Sequence, residues 1–204
     1  MGISDKTSWI ATRDATLQEV ADALGMKSRQ ILRWSAGTRA AHEYGVYVAR
    51  PVADWTIALS QSHLPIQIDA THPDFPDWLR ALGDEIGDFD YFATDRVGEY
   101  HAWASVESGD IARAYCYIGE RREVPLHIGE PTEIELELGI GHRWLEEGWQ
   151  EWREPEWDVW LAAMPNESHV MRIARQWSIC PIEIPDESVT GVGIYGYPPR
   201  VLAP

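Results

Sequence analysis

The sequence predicts an α+β fold: an antiparallel sheet built from β-hairpins, with helices packed on one side. Three observations predict it. Strand-like and helix-like runs come in clusters, without the regular alternation of a parallel βαβ sheet. The runs 89–94, 97–106 and 111–118 follow one another closely and alternate in polarity with period 2. In 204 residues, 45% are hydrophobic and 25% charged, which suffices for one sizeable core.

Taken in order, 8–12 reads as a short strand. Asp14 or Thr16 caps a helix whose stripe is Leu17, Val20, Ala21 and Leu24, with Gly25 at its C-terminus. Positions 30–34 read as a second strand, and 45–52 and 55–59 as a hairpin turning at Ala53-Asp54. The Pro-, Asp- and His-rich stretch 63–76 is a loop. A helix follows over 77–86 with Trp78, Leu79, Leu82 and Ile86 inward.

In the second of the three alternating strands, Gly98, Tyr100, Ala102, Ala104 and Val106 share one face. In the third, Ala112, Ala114, Cys116 and Ile118 do. Matching the two faces pairs Ala102 with Cys116, Trp103 with Tyr115 and Ala104 with Ala114. A three-residue loop, Ser108-Gly109-Asp110, gives that register. Cys116 then lies in the core as a small hydrophobe.

Beyond Gly119, Thr132 caps a short helix through Leu138, ended by Gly139. Pro155 divides the acidic, Trp-rich stretch into two helical pieces. Asn166 caps a helix with Val170, Ile173, Ala174 and Trp177 on one stripe. The domain reading is a single unit over 1–180, its acidic Trp-rich helical segment at 130–164, followed by an extended, docked Pro/Gly-rich segment at 181–204. Arg50-Pro51-Val52-Ala53-Asp54-Trp55 weakly echoes Asp95-Arg96-Val97-Gly98-Glu99-Tyr100, the trace that a duplicated helix–hairpin unit would leave. Short β segments also resemble one another by chance.

Formal charge is −16, with 17 Lys+Arg against 33 Asp+Glu, which argues against direct nucleic-acid binding. The two cysteines form no disulfide framework or CxxC pair. The first residues carry no apolar signal region, and no run approaches the roughly 20 apolar residues of a membrane-spanning helix. The expected location is the cytoplasm, with no membrane partner.

Gly191-Val192-Gly193-Ile194-Tyr195-Gly196 fits GxGxxG, but Pro198 and Pro199 block the helix that a dinucleotide site needs. Those glycines suit a twisted or bulged strand instead. No phosphate-cradling loop, HExxH or GxSxG is present, and no cofactor is expected. The seven histidines show no metal-ligand spacing. His63, His72, Asp69 and Asp74 share a loop but are read as solvated, so no metal is expected.

Three functional readings remain. The first is an acidic protein-binding module, an inhibitor or immunity-type protein engaging a basic partner such as a nuclease or nucleic-acid-binding effector. Between Tyr117 and Trp160 stand twelve acidic residues, four arginines and five of the eleven tryptophans. The expected contacts there are Glu146, Glu147, Trp149, Glu151, Trp152 and Glu154, in which aromatic rings anchor and carboxylates steer. The bland account of the same stretch is amphipathic helices whose indoles cover the sheet. The second reading is a small-molecule enzyme using Glu99 and His101 as an acid–base pair, with Arg113 holding an anionic group. The third is a ligand-binding domain with an aromatic pocket of Trp103, Tyr115 and Tyr117. Cross-strand pairing on a covered sheet face explains those same residues without a site.

Overall fold

The computed structural model describes residues 6–52, 54–61, 64, 68–140 and 153–199. The strands are β1 (Lys6–Thr12), β2 (Lys27–Arg33), β3 (Val46–Val52), β4 (Trp55–Ser60), β5 (Phe89–Asp95), β6 (Tyr100–Glu107), β7 (Asp110–Ile118), β8 (Glu123–Ile128) and β9 (Val192–Tyr197). The helices are α1 (Leu17–Ala23), α2 (Trp34–Glu43), α3 (Phe75–Ile86), α4 (Glu133–Glu137), α5 (Glu154–Ala163) and α6 (Glu167–Trp177). All nine strands form one sheet in the order β2-β9-β3-β4-β1-β5-β6-β7-β8. Every neighbouring pair is antiparallel. No described helix is long and apolar enough to cross a membrane.

The α+β class and its hairpins follow the polarity pattern, but the helices do not keep to one side. The sheet separates two apolar layers. α1 and α3 bury Val20, Ala21, Phe75, Leu79, Leu82 and Ile86 against one face. α2 and α6 bury Trp34, Ala41, Val170, Ile173 and Ala174 against the other. The reason is in the strands themselves: β1, β5, β6 and β7 are buried at nearly every position, so each face needs a cover.

The β6–β7 register is Ala102↔Cys116, Trp103↔Tyr115 and Ala104↔Ala114, as matching the small faces requires. The turn differs. Glu107 pairs with Asp110 across a two-residue turn, Ser108-Gly109, with φ of 53° and 80°. The register then shifts between Ser105 and Val106, where Ala112 is the extra residue, so the bulge restores the pairing that a longer loop was expected to supply. Cys116 is fully buried, and burial pushes its thiol up. Cys116→Ser is expected to cost about 1–3 kcal/mol in a denaturant melt, through a poorly satisfied hydroxyl. Rapid labelling of native Cys116 by a thiol reagent would contradict the burial.

Three other elements depart from the sequence reading. Trp34 does not end a strand; it begins α2, which buries its indole. Tyr100, rather than Val97, opens β6: Val97 is 80% exposed in the preceding turn. Residues 192–197 insert as β9 between β2 and β3, so the C-terminal segment supplies an interior strand. Gly193 is required there, because a Cβ would come within 2.4 Å of the Val48 carbonyl oxygen and 2.6 Å of the Tyr47 ring.

α2–β3–β4 and α3–β5–β6 are each a helix followed by a hairpin, and the sequence echo falls at the two turns. β5 runs opposite to β3, and α3 covers the face opposite α2. The units are thus related by a flip of the sheet. Pro155 lies in the first turn of α5, where proline is tolerated, and the helical piece expected before it lies outside the described residues.

Candidate functional site

On the α2/α6 face, one register row runs Tyr195–Tyr47–Leu59–Trp9–Phe92–Trp103–Tyr115–His127 across eight strands. Large rings fill it: Trp9 stacks on Phe92 at 5.1 Å and Trp103 on Tyr115 at 4.7 Å. Two residues along the strands, the neighbouring row reads Ile57–Ala11–Asp90–Ser105–Arg113. Small and polar side chains replace the rings, and the surface falls away into a notch of about 490 Å³.

Asp90 lies in the floor of this notch and is 8% exposed. Burial pushes its carboxyl up to about 6, against an ordinary 3.8. The Ser105 and Ser178 hydroxyls relieve part of that cost, and the nearby Glu107 and Asp88 charges add to it. Asp14, Asp88, Glu107 and Glu130 complete the acidic rim. Asp88 is fixed in the turn: its Oδ1 accepts the Ser108 N–H at 2.7 Å, and its own N–H donates to Asp14 Oδ2 at 3.1 Å. Trp55 and Trp177 form aromatic walls, and the Arg13 guanidinium carbon lies 4.2 Å from the Trp55 ring centroid.

Arg113 also reaches the notch, but its charge is committed. Its Nε donates to both Glu135 oxygens at 3.0 Å, and its Nη2 to Oε1 at 2.7 Å. Nη1 donates to the carbonyls of Ile128 at 2.9 Å, Gly129 at 3.1 Å and Ala114 at 3.3 Å. Glu135 further accepts Trp103 Nε1 at 2.9 Å and the Thr132 N–H and hydroxyl at 2.8 Å each. Burial alone would raise the Glu135 carboxyl, but the Arg113 guanidinium and these donors hold it below its ordinary value. The pair is a structural fork that pins α4 to the sheet.

The other sequence-selected residues divide between places. Glu99, His101 and Tyr117 border a separate cleft of about 440 Å³ with Arg96 and Glu167. His101 and Ser105, the cross-strand partner of Arg113, are four positions apart along β6, which is about 13 Å. The Arg113 charge is therefore remote from Glu99 and His101. Glu99 is not in the strand; it sits in the turn at φ 46°. His101 Nδ1 lies 2.9 Å from Thr94 Oγ1. Burial, helped by His169, pushes the His101 imidazole down to about 4, so it is neutral at physiological pH. Trp103 and Tyr115 are packed with Leu138, Ile140 and Val170 in the apolar layer. Glu146, Glu147, Trp149, Glu151 and Trp152 lie outside the described residues, as does His63; Glu154 is exposed at the start of α5.

Asp90 escaped the sequence reading. Its signal is one charged residue inside the otherwise apolar run Phe89-Asp90-Tyr91-Phe92, at the position that shares a face with Phe92. Among the described residues, no group of three or more His, Cys, Asp or Glu side chains is placed to hold a metal ion. No protein-family model, curated protein or solved structure matches the chain.

Proposed function

We propose that the protein is an acidic binding module, of inhibitor or immunity type, which receives a cationic side chain of a basic protein in the Asp90 notch. One observation carries this reading: an ionisable carboxyl that is more than nine-tenths buried opens into an acidic cavity with indole walls. Water solvates such a group poorly, so a cation from a partner would relieve the cost of its burial. A net charge of −16 adds long-range attraction for a basic surface, such as the phosphate-binding site of a nuclease. The acidic, Trp-rich stretch around Glu146–Glu154 would then be a second contact. A reducing, cytoplasmic setting suits Cys116 and Cys180, which are both free and buried.

The test is binding to a panel of basic nucleases at low and then moderate salt. Two charge-reversed variants are compared with the native chain: Glu107→Lys with Glu130→Lys, and Glu146→Lys, Glu147→Lys and Glu151→Lys together. Each set is expected to weaken binding by about tenfold or more, roughly 1.4 kcal/mol, with little change in thermal stability. Unchanged affinity of both variants at low salt would remove the proposed interface. A titrating carboxyl in a cleft also suits proton transfer to a small molecule. Turnover that is lost in Asp90→Asn, with no protein partner present, would favour that second reading.

A further inference from the structure

We infer that the notch is a guanidinium site, taking an arginine of the partner in preference to a lysine, and that Arg13 is the internal guanidinium the partner's arginine displaces. This rests on the binding-module reading and narrows its ligand. The first support is Arg13 itself. It is exposed, its guanidinium lies over the Trp55 ring, and no described carboxylate comes within ion-pairing distance of it, although Asp14 is its chain neighbour. The indole therefore holds a guanidinium by its face alone, in a geometry that a better-placed competitor replaces at small cost.

The second support is the match between walls and floor. A guanidinium is planar and weakly hydrated, lies flat on aromatic faces, and presents two parallel N–H groups to a carboxylate. An ammonium is compact and strongly hydrated, and would lose more on reaching a floor as dry as Asp90. The third support is a precedent within the fold. The same chemistry is built at Arg113, whose guanidinium forks onto Glu135 and lies 5.3 Å from the Tyr115 ring centroid.

Titration of the full chain with amidated tri-arginine and tri-lysine peptides tests this, read by tryptophan fluorescence at low salt and at a pH where Asp90 is ionised. Tri-arginine is expected to bind about tenfold tighter than tri-lysine, a difference of roughly 1.4 kcal/mol. Arg13→Ala is expected to strengthen tri-arginine binding severalfold, and Asp90→Asn to weaken it by about tenfold or more while the variant stays folded. Equal binding of the two peptides, lost in Asp90→Asn, would overturn the guanidinium preference and leave the cationic reading standing. Weaker tri-arginine binding in Arg13→Ala would overturn the role given to Arg13. Binding of neither peptide would overturn both readings.

Discussion

Glu135→Gln is expected to destabilise the protein by about 3–5 kcal/mol, the largest effect of any conservative change proposed for this chain. Glu135 is fully buried and Arg113 is 2% exposed, so the amide leaves a guanidinium with no counter-charge and no access to water. Two kinds of loss combine in that figure: the counter-charge of Arg113, and one of the two acceptor oxygens, either the one that takes the Thr132 N–H or the one that takes the Trp103 indole N–H, which becomes an amide donor. A denaturant melt of the single variant measures it. The double variant Arg113→Met with Glu135→Leu separates charge burial from packing. It is expected to recover most of the loss, because an apolar pair of similar volume removes both desolvation costs at once. Failure to recover would mean that the carbonyls of Ile128, Gly129 and Ala114 depend on the guanidinium as much as Glu135 does. The native chain carries a pH signature of the same pair. The folded Glu135 carboxyl lies below its ordinary 4.5, so its contribution is present above that value and is lost as pH falls through the folded one.

The sequence exposed the strand faces more clearly than the site. Small apolar residues at every second position of β6 and β7 left one consistent pairing, and Trp103↔Tyr115 follows from it. The turn is not legible in the sequence, because a bulge and a longer loop shift register equally and only backbone geometry tells them apart. α2 is not legible because Trp34-Ser-Ala-Gly-Thr-Arg-Ala-Ala-His-Glu43 has one large apolar side chain, and its stripe is otherwise alanine and glycine. It is a helix because Trp34 and Ala41 find a buried layer, and Gly37 leaves room for the Tyr47 ring. β9 is legible as extended chain but not as an interior strand, since its partners lie more than 140 residues away. Glu99, His101 and Arg113 share a pattern but not a place. Alternation assigns a face, whereas distance along the strand decides which charges meet, and Glu99 had already left the strand for a turn. Arg113 reads as an anion holder, and the anion it holds is Glu135, one of several acidic positions in a segment whose composition alone marks it as solvated.

Asp90→Asn is expected to stabilise the protein by about 1–3 kcal/mol above pH 6, and to do so less and less as the solution is acidified. The sign follows from the raised carboxyl. With a folded value of about 6 against an ordinary 3.8, the native state binds the proton more tightly than the unfolded chain does. The contribution of Asp90 is therefore fully present below 3.8 and is lost as pH rises through about 6, which opposes the trend from Glu135. Asparagine keeps the shape, removes the charge and does not titrate, so the difference between the two melts isolates this one group. An equal stabilisation at pH 4 and pH 8 would show that the gain has another source, and that Asp90 is not held ionised at a cost. A residue that weakens its own fold at neutral pH, in a row where rings give way to a cavity, is accounted for only in part by its Ser105 and Ser178 hydroxyl contacts: a neutral side chain of the same size would serve the sheet better. A cationic ligand over the carboxylate changes that balance. It lowers the Asp90 value on binding and stabilises the ionised protein selectively, so its affinity is expected to be level above about pH 6 and to fall below it, over the same range in which the stability gap narrows toward 3.8.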